Sequence, residues 1–482
     1  MTDSRPILFI IGILMSTLAL AMCLPAVADA AVYNPDWKVF ALASAFTLLI
    51  GVMLMLTAHS ANRSLNQRQA FVLTTLSWTI IPAFAALPFT FSELNMSYTD
   101  AFFEAMSGIT TTGSTVLTGL DFAPPGILLW RALLQWLGGI GIIAMAIAIL
   151  PMLQVGGMQL FRTESSDSSD KVIPRAAQLI AFIGFIYLGI TLLCALAYWL
   201  AGMTGFEAVA HAMTTIATGG FSTSDQSIGR FASPAVDAIA VVFMLLGSLP
   251  FVLYLRALRG NPRALWRDSQ VRWFLSVVAL AVGAMTVYLY VNVEMEIGNA
   301  LQLASFNVVS IVTGTGYATA DFGLWGSFAL TLLLFLMFVG GCAGSTTCGI
   351  KIFRFQVLYA TAVTQIRHLL EPHGVFIAYY NGRPIPDSVG DSVMSFFFLY
   401  AVAFAVIATG LGLIGLDFLT AVSGAATAIS NVGPGLGDVI GPAGTFASLP
   451  DSAKWLLSLA MLLGRLELFT VLVLLTPAFW SR

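Results

Sequence analysis

Four short segments of this chain resemble one another and are spaced almost evenly along it. Each ends in a glycine, with Ser or Thr six positions before it and Ile or Val four positions before it. The final glycines are 107, 96 and 117 residues apart. One such segment would indicate only a glycine that packs or caps a helix, but four with the same offsets predict a pore built from four similar parts. The segments are Ser107–Gly113, Thr214–Gly220, Ser310–Gly316 and Thr427–Gly433.

The composition places the chain in a membrane. Of its 482 residues, 58% are hydrophobic and 9% are charged, whereas a soluble domain has about 25% charged residues. A helix that crosses the ~30 Å hydrocarbon core needs roughly 20 apolar residues. The ten candidate spans are Ile7–Leu24, Phe40–Thr57, Phe71–Phe91, Ile127–Leu150, Leu179–Leu200, Ala235–Leu255, Trp273–Tyr290, Phe328–Phe338 with its continuation, Val393–Ile414 and Trp455–Leu475.

We therefore predict an all-α integral membrane protein with two extra N-terminal helices and four pseudo-repeats around a central pore. Each repeat consists of a span, a short pore helix, a filter loop and a second span. A cleaved signal peptide ending at Ala28-Asp29-Ala30 is an alternative for the first span, but Pro25 interrupts the approach to that site. The predicted units are residues 1–62 (two N-terminal helices), 63–153, 154–256, 257–388 (with a gating loop at 340–350 and a cytoplasmic segment at 351–388) and 389–482.

The distribution of basic residues predicts the orientation. With the N-terminus in the cytoplasm, 16 of the 21 Lys and Arg residues fall in cytoplasmic segments, in agreement with the positive-inside rule. The outer loops are rich in Asp and Glu instead. Both termini are then cytoplasmic, and the four similar segments lie near the outer face.

The residue types in the four segments suit an alkali cation. Non-helical backbone is tolerated at membrane depth where it lines a watery cavity, and its carbonyl oxygens can replace the hydration shell of a cation. An acidic residue, which favours a helix N-terminus, lies near the expected start of each short helix. The helix C-termini, with their partial negative charge, then point to the pore. The acidic residues are Asp100, Glu207, Glu296 and Asp417.

The segments resemble the P-loops of potassium channels, and the whole chain resembles the TrkH-type membrane subunits of bacterial Trk potassium-uptake systems, in the Trk/Ktr/HKT superfamily. The motifs that carry the resemblance are residues 100–113 (DAFFEAMSGITTTG), 130–141 (WRALLQWLGGIG) and 340–346 (GGCAGST). The resemblance implies a filter for potassium and rubidium formed by backbone oxygens. Those oxygens belong to Thr111, Thr112, Gly113, Thr218, Gly219, Gly220, Gly314, Thr315, Gly316, Asn431, Val432 and Gly433.

The resemblance has further implications. In relatives, Ser at the position of Gly113 goes with sodium permeation, so Gly113 favours potassium here. The fourth segment is the least regular, because Pro434 stiffens its backbone. The family also implies a location in the bacterial inner membrane, a cytoplasmic TrkA-type nucleotide-binding ring as partner, and a homodimer.

A glycine-rich stretch interrupts the eighth candidate span. Residues 340–349 contain four Gly and three Ser or Thr, which makes a poor helix. It forms either a bend that allows close packing or a loop that plugs the pore below the filter, and the resemblance favours the loop, with a departure at Cys348, where relatives usually have Gly. We assign the gate to Gly340, Gly341, Gly344, Ser345, Gly349, Lys351 and Arg465.

Arg465 is a charge in the last candidate span, and such a charge is a functional candidate by default. Because residues two apart do not face each other on a helix, we expect Arg465 to point into the pore rather than to pair with Glu467. There it would contact the glycine-rich loop and act as a barrier to cations. We interpret Arg131 and His211 as structural residues.

Other functions are less compatible with the sequence. A proton- or sodium-coupled potassium symporter on the same scaffold stays an alternative, with Glu467 as its candidate coupling carboxylate. The four His residues show no metal-ligand or nucleophile–base pattern, and no G-x-x-x-x-G-K-[ST] motif occurs. We therefore expect no enzyme activity, no bound cofactor other than potassium as the transported ion, and no nucleic-acid partner. Asn381-Gly382 predicts a hairpin in the cytoplasmic segment, which is either a docking surface or a connector.

Overall fold

The computed structural model describes residues 4–58, 65–148, 157 and 172–481, and nearly all of its regular structure is helical. The predicted boundaries at residues 63 and 153 lie outside the described residues. The helices are α1 (Arg5–Ala31), α2 (Trp37–Thr57), α3 (Gln67–Ala85), α4 (Leu87–Phe91), α5 (Tyr98–Ile109), α6 (Pro125–Ala148), α7 (Val172–Leu200), α8 (Gly205–Ile216), α9 (Pro234–Gly247), α10 (Phe251–Leu258), α11 (Arg263–Arg267), α12 (Ser269–Asn292), α13 (Ile297–Val312), α14 (Ser327–Met337), α15 (Ile352–Leu370), α16 (Asp387–Ile414), α17 (Phe418–Ser430), α18 (Gly437–Ile440), α19 (Asp451–Arg465), α20 (Phe469–Leu472) and α21 (Pro477–Trp480).

Within the described residues, seven helices are long and apolar enough to cross a membrane, or up to nine segments if each of two bent pairs counts as one span. The bent pairs are α9 with α10, at 92°, and α19 followed by Phe469–Leu475, at 107°. Helix α14 has only 11 residues, which is too short to cross alone. The multi-pass helical architecture is therefore present, whereas the count of ten spans stays a prediction.

Two of the predicted spans are broken rather than continuous. The sixth candidate span is interrupted before Pro250, and the last one is interrupted after Arg465. Proline has no N–H to donate and its ring disturbs the preceding turn, which explains the first break. Arg465 consequently lies at the end of α19 and not in mid-span, which corrects the sequence-based placement.

Four helices of 12 to 16 residues, α5, α8, α13 and α17, each end within one of the similar segments; we call them pore helices 1 to 4. Three begin at a side chain that accepts a backbone N–H, as N-caps do: Ser97, Thr204 and Asp417. At Asp417 the hydrogen bonds from Thr420 lower the pKa of the carboxyl group. The predicted acidic residues thus lie in the first turn or at the N-cap of all four helices.

The two N-terminal helices pack closely against each other. A methyl group added at Gly12 would lie 2.6 Å from the carbonyl oxygen of Gly51, and one added at Gly51 would lie 2.9 Å from that of Gly12. Small residues that bring two backbones together are typical of helix pairs in membranes. Helix α1 also packs on α3 and α6, so this pair forms one flank of the bundle.

Residues 351–388 contain the predicted hairpin. Strand β1 (Tyr379–Tyr380) pairs antiparallel with β2 (Arg383–Pro384). The two turn residues, Asn381 and Gly382, both have positive φ angles, 50° and 76°, as a type I′ turn requires. The hairpin is tied to the start of α12, because the Ser269 N–H donates to Asn381 Oδ1.

Candidate functional site

The backbone of the four similar segments follows one pattern. In each, the final glycine and the residue two positions before it have positive φ angles, with a residue of the opposite sign between them. A non-glycine residue with positive φ is uncommon, and such strain clusters at functional sites. This alternation turns successive peptide groups, so that their carbonyls can line one path. The pairs are Thr111 (52°) and Gly113 (90°), Thr218 (50°) and Gly220 (78°), Gly314 (69°) and Gly316 (79°), and Asn431 (52°) and Gly433 (117°).

The four segments meet in a closed ring, in chain order. A methyl group added at any of the four final glycines would strike the carbonyl oxygen of the next segment; for the fourth glycine the separation is 2.9 Å. The ring therefore needs glycine at these positions, both for the φ angle and for the space. The close pairs are Gly113 with Gly219, Gly220 with Thr315, Gly316 with Val432, and Gly433 with Thr112.

Side chains behind the ring hold the segments in place. Gln135 on α6 donates from Nε2 to the Gly219 oxygen at 2.6 Å and accepts the Phe221 N–H at 3.0 Å. Asn431 donates to Thr112 Oγ1 at 2.9 Å and to the Met461 oxygen at 2.9 Å. The Gly219 oxygen thus already has a protein donor, which leaves it less free for an ion than its counterparts. Asn431 instead contributes its side chain to the scaffold.

A vestibule of about 250 Å³ opens above the ring and is lined by all four final glycines. The glycines of the first three segments are partly exposed, whereas the residues directly before them are buried. The vestibule wall includes Asp225 and Arg131. One end of the ring is therefore open to water-sized molecules, as the entrance of an ion path must be.

Arg131 is held by a buried ion pair under this wall. Its Nε donates to Glu104 Oε1 at 2.8 Å, both side chains are at most 1% exposed, and its Nη1 donates to the Ser222 oxygen at 2.7 Å. Glu104 also accepts the Val116 N–H at 3.0 Å. His211 on pore helix 2 contacts Ser222 Oγ at 3.0 Å. These contacts agree with the structural interpretation of Arg131 and His211.

Replacing Glu104 by Ala should destabilise the protein strongly. The change leaves the Arg131 guanidinium buried without its carboxylate, and breaking a buried pair in this way costs about 3–5 kcal/mol. Thermal unfolding of the purified protein in detergent measures the effect. Asp121→Ala is the matched control, because it breaks the exposed ion pair with Arg230, which is worth at most ~1 kcal/mol. Equal unfolding temperatures for the two variants would contradict the expectation.

On the other side of the ring, the glycine-rich stretch forms a buried loop. Its two ends join, because the Gly340 N–H donates to the Ile350 oxygen at 2.9 Å and the Ile350 N–H donates to the Phe338 oxygen at 3.0 Å. Its middle lies against the second segment, where Thr346 Oγ1 is 3.2 Å from Thr218 Oγ1 and 3.0 Å from the Ile216 oxygen. The stretch is thus a loop directly below the ring rather than a bend in a helix.

Arg465 ties this loop to α6. It donates to the Thr346 oxygen at 3.2 Å, to Cys348 Sγ and to the Gly138 oxygen at 2.9 Å. The cavity lined by the loop, Arg465 and Glu467 has a volume of about 20 Å³, room for about one water molecule. The space beside the loop is therefore too small for a hydrated ion.

A second buried ion pair joins α15 to the break after α19. Arg354 near the start of α15 donates to Glu467, which lies in the break after α19. Glu467 and the next residue, Leu468, both have positive φ angles, 62° and 40°. Lys351 donates to the Thr347 oxygen at the end of the loop. Helix α15 is therefore connected both to the loop and to the break after Arg465.

The structure brings the predicted residues together in two groups. The twelve predicted filter residues all lie in the ring, and the predicted gate residues lie in or beside the loop; of these, Gly344, Ser345, Gly349, Lys351 and Arg465 line the small cavity. The predicted sets omit Gln135 and Thr346. Gln135 is a polar residue inside an apolar span, which is itself a signal of function. Thr346 shows no sequence signal beyond its place in the glycine-rich stretch.

Within the described residues, no group of three or more His, Cys, Asp or Glu side chains is placed to hold a metal ion. The oxygens that the ring offers are backbone carbonyls and the hydroxyls of Thr and Ser. These neutral, hard ligands suit an alkali cation and lack the carboxylates of a typical divalent site.

Comparisons with known proteins agree on one family. Residues 37–482 match the family model TrkH, described as a cation transport protein. The chain is 50% identical to the Trk system potassium uptake protein TrkI of Halomonas elongata, over 99% of this chain and 97% of that protein. It is 41% identical to TrkH of Vibrio parahaemolyticus, over 99% of both chains. The crystal structure of the potassium transporter TrkH from Vibrio parahaemolyticus superposes with a TM-score of 0.93, at 38% identity and with full coverage of both chains.

Proposed function

The chain belongs to the TrkH family of cation transport proteins, and from this premise we propose that it carries potassium, and rubidium, into the cell through the four-segment ring. The observation that carries the proposal is the ring itself, whose four segments share one alternating backbone conformation and border one vestibule. Curated relatives at 41% and 50% identity are named as potassium uptake proteins. The oxygen ligands of the ring fit that cargo.

In the proposed mechanism, an ion enters the vestibule, sheds water to the backbone oxygens of the ring and passes inward when the loop moves aside. The C-termini of the four pore helices point their partial negative charge at the ring, which favours a cation there. The loop and Arg465 fill the path in the closed conformation. The gate opens only if the contacts from Arg465 to the Thr346 oxygen and Cys348 are released.

The contacts of Glu467 favour this uniport mechanism over proton- or sodium-coupled symport. A coupling carboxylate must load and release its ion during transport. Glu467 is engaged by the Arg354 guanidinium and lies below the loop, outside the ring. Its carboxylate therefore stabilises the break after α19 through the ion pair with Arg354.

We also propose that control comes from the cytoplasm. Helix α15 and the segment that joins it to the hairpin carry exposed apolar side chains, among them Leu369 and Val375 at 77% and 88% exposure. Their connection to the gate through Arg354 suits a surface on which a cytoplasmic nucleotide-binding ring acts. The same proposal places both termini in the cytoplasm, the protein in the inner membrane, and two copies in the functional assembly.

Radioactive rubidium uptake into liposomes containing the purified protein tests the function. We expect uptake driven by the rubidium gradient, competed by potassium, little affected by sodium and indifferent to a pH gradient. Protein-free liposomes are the control for leakage. Uptake that requires an inward proton or sodium gradient would contradict the proposed mechanism and favour symport.

Replacing Glu467 by Gln separates the two mechanisms. Because the change weakens only the tie to Arg354, we expect rubidium uptake to rise several-fold and to stay independent of pH. Arg354→Gln should give the same increase, since it removes the same ion pair, and the double variant should add nothing further. Loss of uptake in Glu467→Gln with retained uptake in Arg354→Gln would identify Glu467 as a coupling site.

A further inference from the structure

A cavity of about 400 Å³ lies between the N-terminal flank and the pore, separate from the ion path. Its walls come from α1, α3, α6 and α7, and the end of pore helix 1 contributes Ile109. Protein interiors contain few voids larger than a water molecule, and this volume is within the ~300–1,000 Å³ range of sites that hold small molecules. The cavity is therefore large enough to hold part of a small molecule.

The chemistry of the cavity selects an apolar occupant. The wall is formed mainly by Leu, Ile, Met, Trp, Gly and Ala. Two of its hydroxyl groups already donate to carbonyls of their own helices, Thr17 to Ile13 at 3.0 Å and Thr74 to Ala70 at 2.8 Å. A ligand would thus find no free charged partner, and water gains little in such a space.

The position of the cavity in the membrane further restricts which molecules could occupy it. Thr17 on the cavity wall belongs to the exposed face of α1, as does its neighbour Ile13 at 42% exposure. Helix α1 is a membrane span by length and composition. The solvent outside this face is hydrocarbon, so the molecule with direct access to the cavity is the acyl chain of a bilayer lipid.

The inner wall of the cavity touches the gate arginine. Arg465 lies over the ring of Trp78, with the guanidinium 5.5 Å from the ring centroid. It also donates to the backbone oxygen of Gly138 at 2.9 Å. Both Trp78 and Gly138 line the cavity. An occupant of the cavity would therefore be separated from Arg465 only by these two residues, which also contact Arg465.

We propose that this cavity binds an acyl chain of a bilayer phospholipid, in contact with the Trp78 ring. A lipid bound in this site would be separated from Arg465 by one side chain, that of Trp78. It stands apart from the ion path, and it goes beyond the proposed potassium transport without depending on it.

Quenching of tryptophan fluorescence by dibrominated phospholipid tests the proposal, because bromine quenches only on contact. The Trp78 signal is the difference between the unaltered chain and Trp78→Phe, both reconstituted in the same vesicles. Gly141→Leu should fill the cavity, since Gly141 lines it and a methyl group added there would meet only the Trp78 ring, at 3.8 Å. Gly283→Leu on α12 is the matched control, because a methyl group added there would meet nothing within 4 Å.

We expect the Trp78 signal to be quenched in the unaltered chain and in Gly283→Leu, and to lose most of that quenching in Gly141→Leu. Gly141→Ala should give an intermediate loss, and it keeps the test valid if the larger side chain prevents folding. Absent quenching in the unaltered chain, or equal quenching in all variants, would overturn the proposal. Quenching by added dibrominated fatty acid but not by phospholipid would overturn the assignment to bilayer lipid. None of these outcomes requires ion flux.

Discussion

Rubidium uptake should rise at least about tenfold when Arg465 is replaced by Ala. The change removes the donor to the Thr346 oxygen, to Cys348 Sγ and to the Gly138 oxygen, which releases the loop. It also removes a fixed positive charge beside the ion path. Two unit charges about 4 Å apart repel by about 4 kcal/mol at an effective dielectric constant of ~20, and every ~1.4 kcal/mol of barrier is a factor of ten. Uptake into liposomes at equal protein content measures the change.

Two further variants separate the charge from the contacts. Arg465→Lys keeps the charge but cannot donate to three acceptors with the same planar geometry, so uptake should rise only in part. Arg230→Ala removes an arginine whose partner is the exposed Asp121 on the outer surface, and uptake should not change. Normal yield of Arg465→Ala with unchanged uptake would contradict the role of Arg465 in the gate.

The sequence was informative where the signal was local. The starts of the pore helices follow from acidic residues and capping side chains such as Thr204 and Asp417, which act within one turn. The ring was predictable because the same offsets recur four times, and a repeated pattern can be recognised without knowing its contacts. The hairpin at Asn381-Gly382 was also predictable from a local signal, because these two residues determine its turn.

The break after Arg465 was not predictable in this way. The sequence stays apolar from Leu466 to Leu475 apart from Glu467 and Thr470, so periodicity indicates a continuous span. The chain turns there because Glu467 pairs with Arg354, 113 residues away in sequence. Only the folded structure shows that partner.

The break before Pro250 was indicated locally by the proline itself. The hydrogen bonds that satisfy this break, however, come from a segment that is distant in the sequence. The carbonyl oxygens freed at the end of α9 belong to Gly247 and Ser248, and they accept the N–H groups of Thr346 and Cys342. Unpaired backbone groups are costly in the membrane. The N–H groups of the glycine-rich loop therefore pair with the carbonyl oxygens that the break leaves free. The loop can therefore leave the pore only if these hydrogen bonds are exchanged. We therefore propose that they hold the loop in the closed position together with the contacts of Arg465.

Replacing Gly220 by Ala should reduce rubidium uptake at least about tenfold and lower the preference for rubidium over sodium. The added methyl group would collide with the carbonyl oxygen of Thr315 in the neighbouring segment, so the ring must widen or lose its order. A displaced oxygen coordinates the ion poorly, and a barrier increase of ~1.4 kcal/mol already gives a tenfold loss. Uptake measured with rubidium and sodium in parallel reports both effects.

Gly119→Ala is the matched control for this change. Gly119 also has a positive φ angle, 72°, against 78° at Gly220, but a methyl group there would meet nothing within 4 Å. Both variants therefore carry the ~1–2 kcal/mol cost of placing an L-residue in the left-handed region, and only Gly220→Ala adds the collision. Retained uptake in Gly119→Ala with loss in Gly220→Ala would assign the effect to the ring. Equal losses would mean that backbone strain alone impairs the protein, and would remove the support for a close-fitting filter at this position.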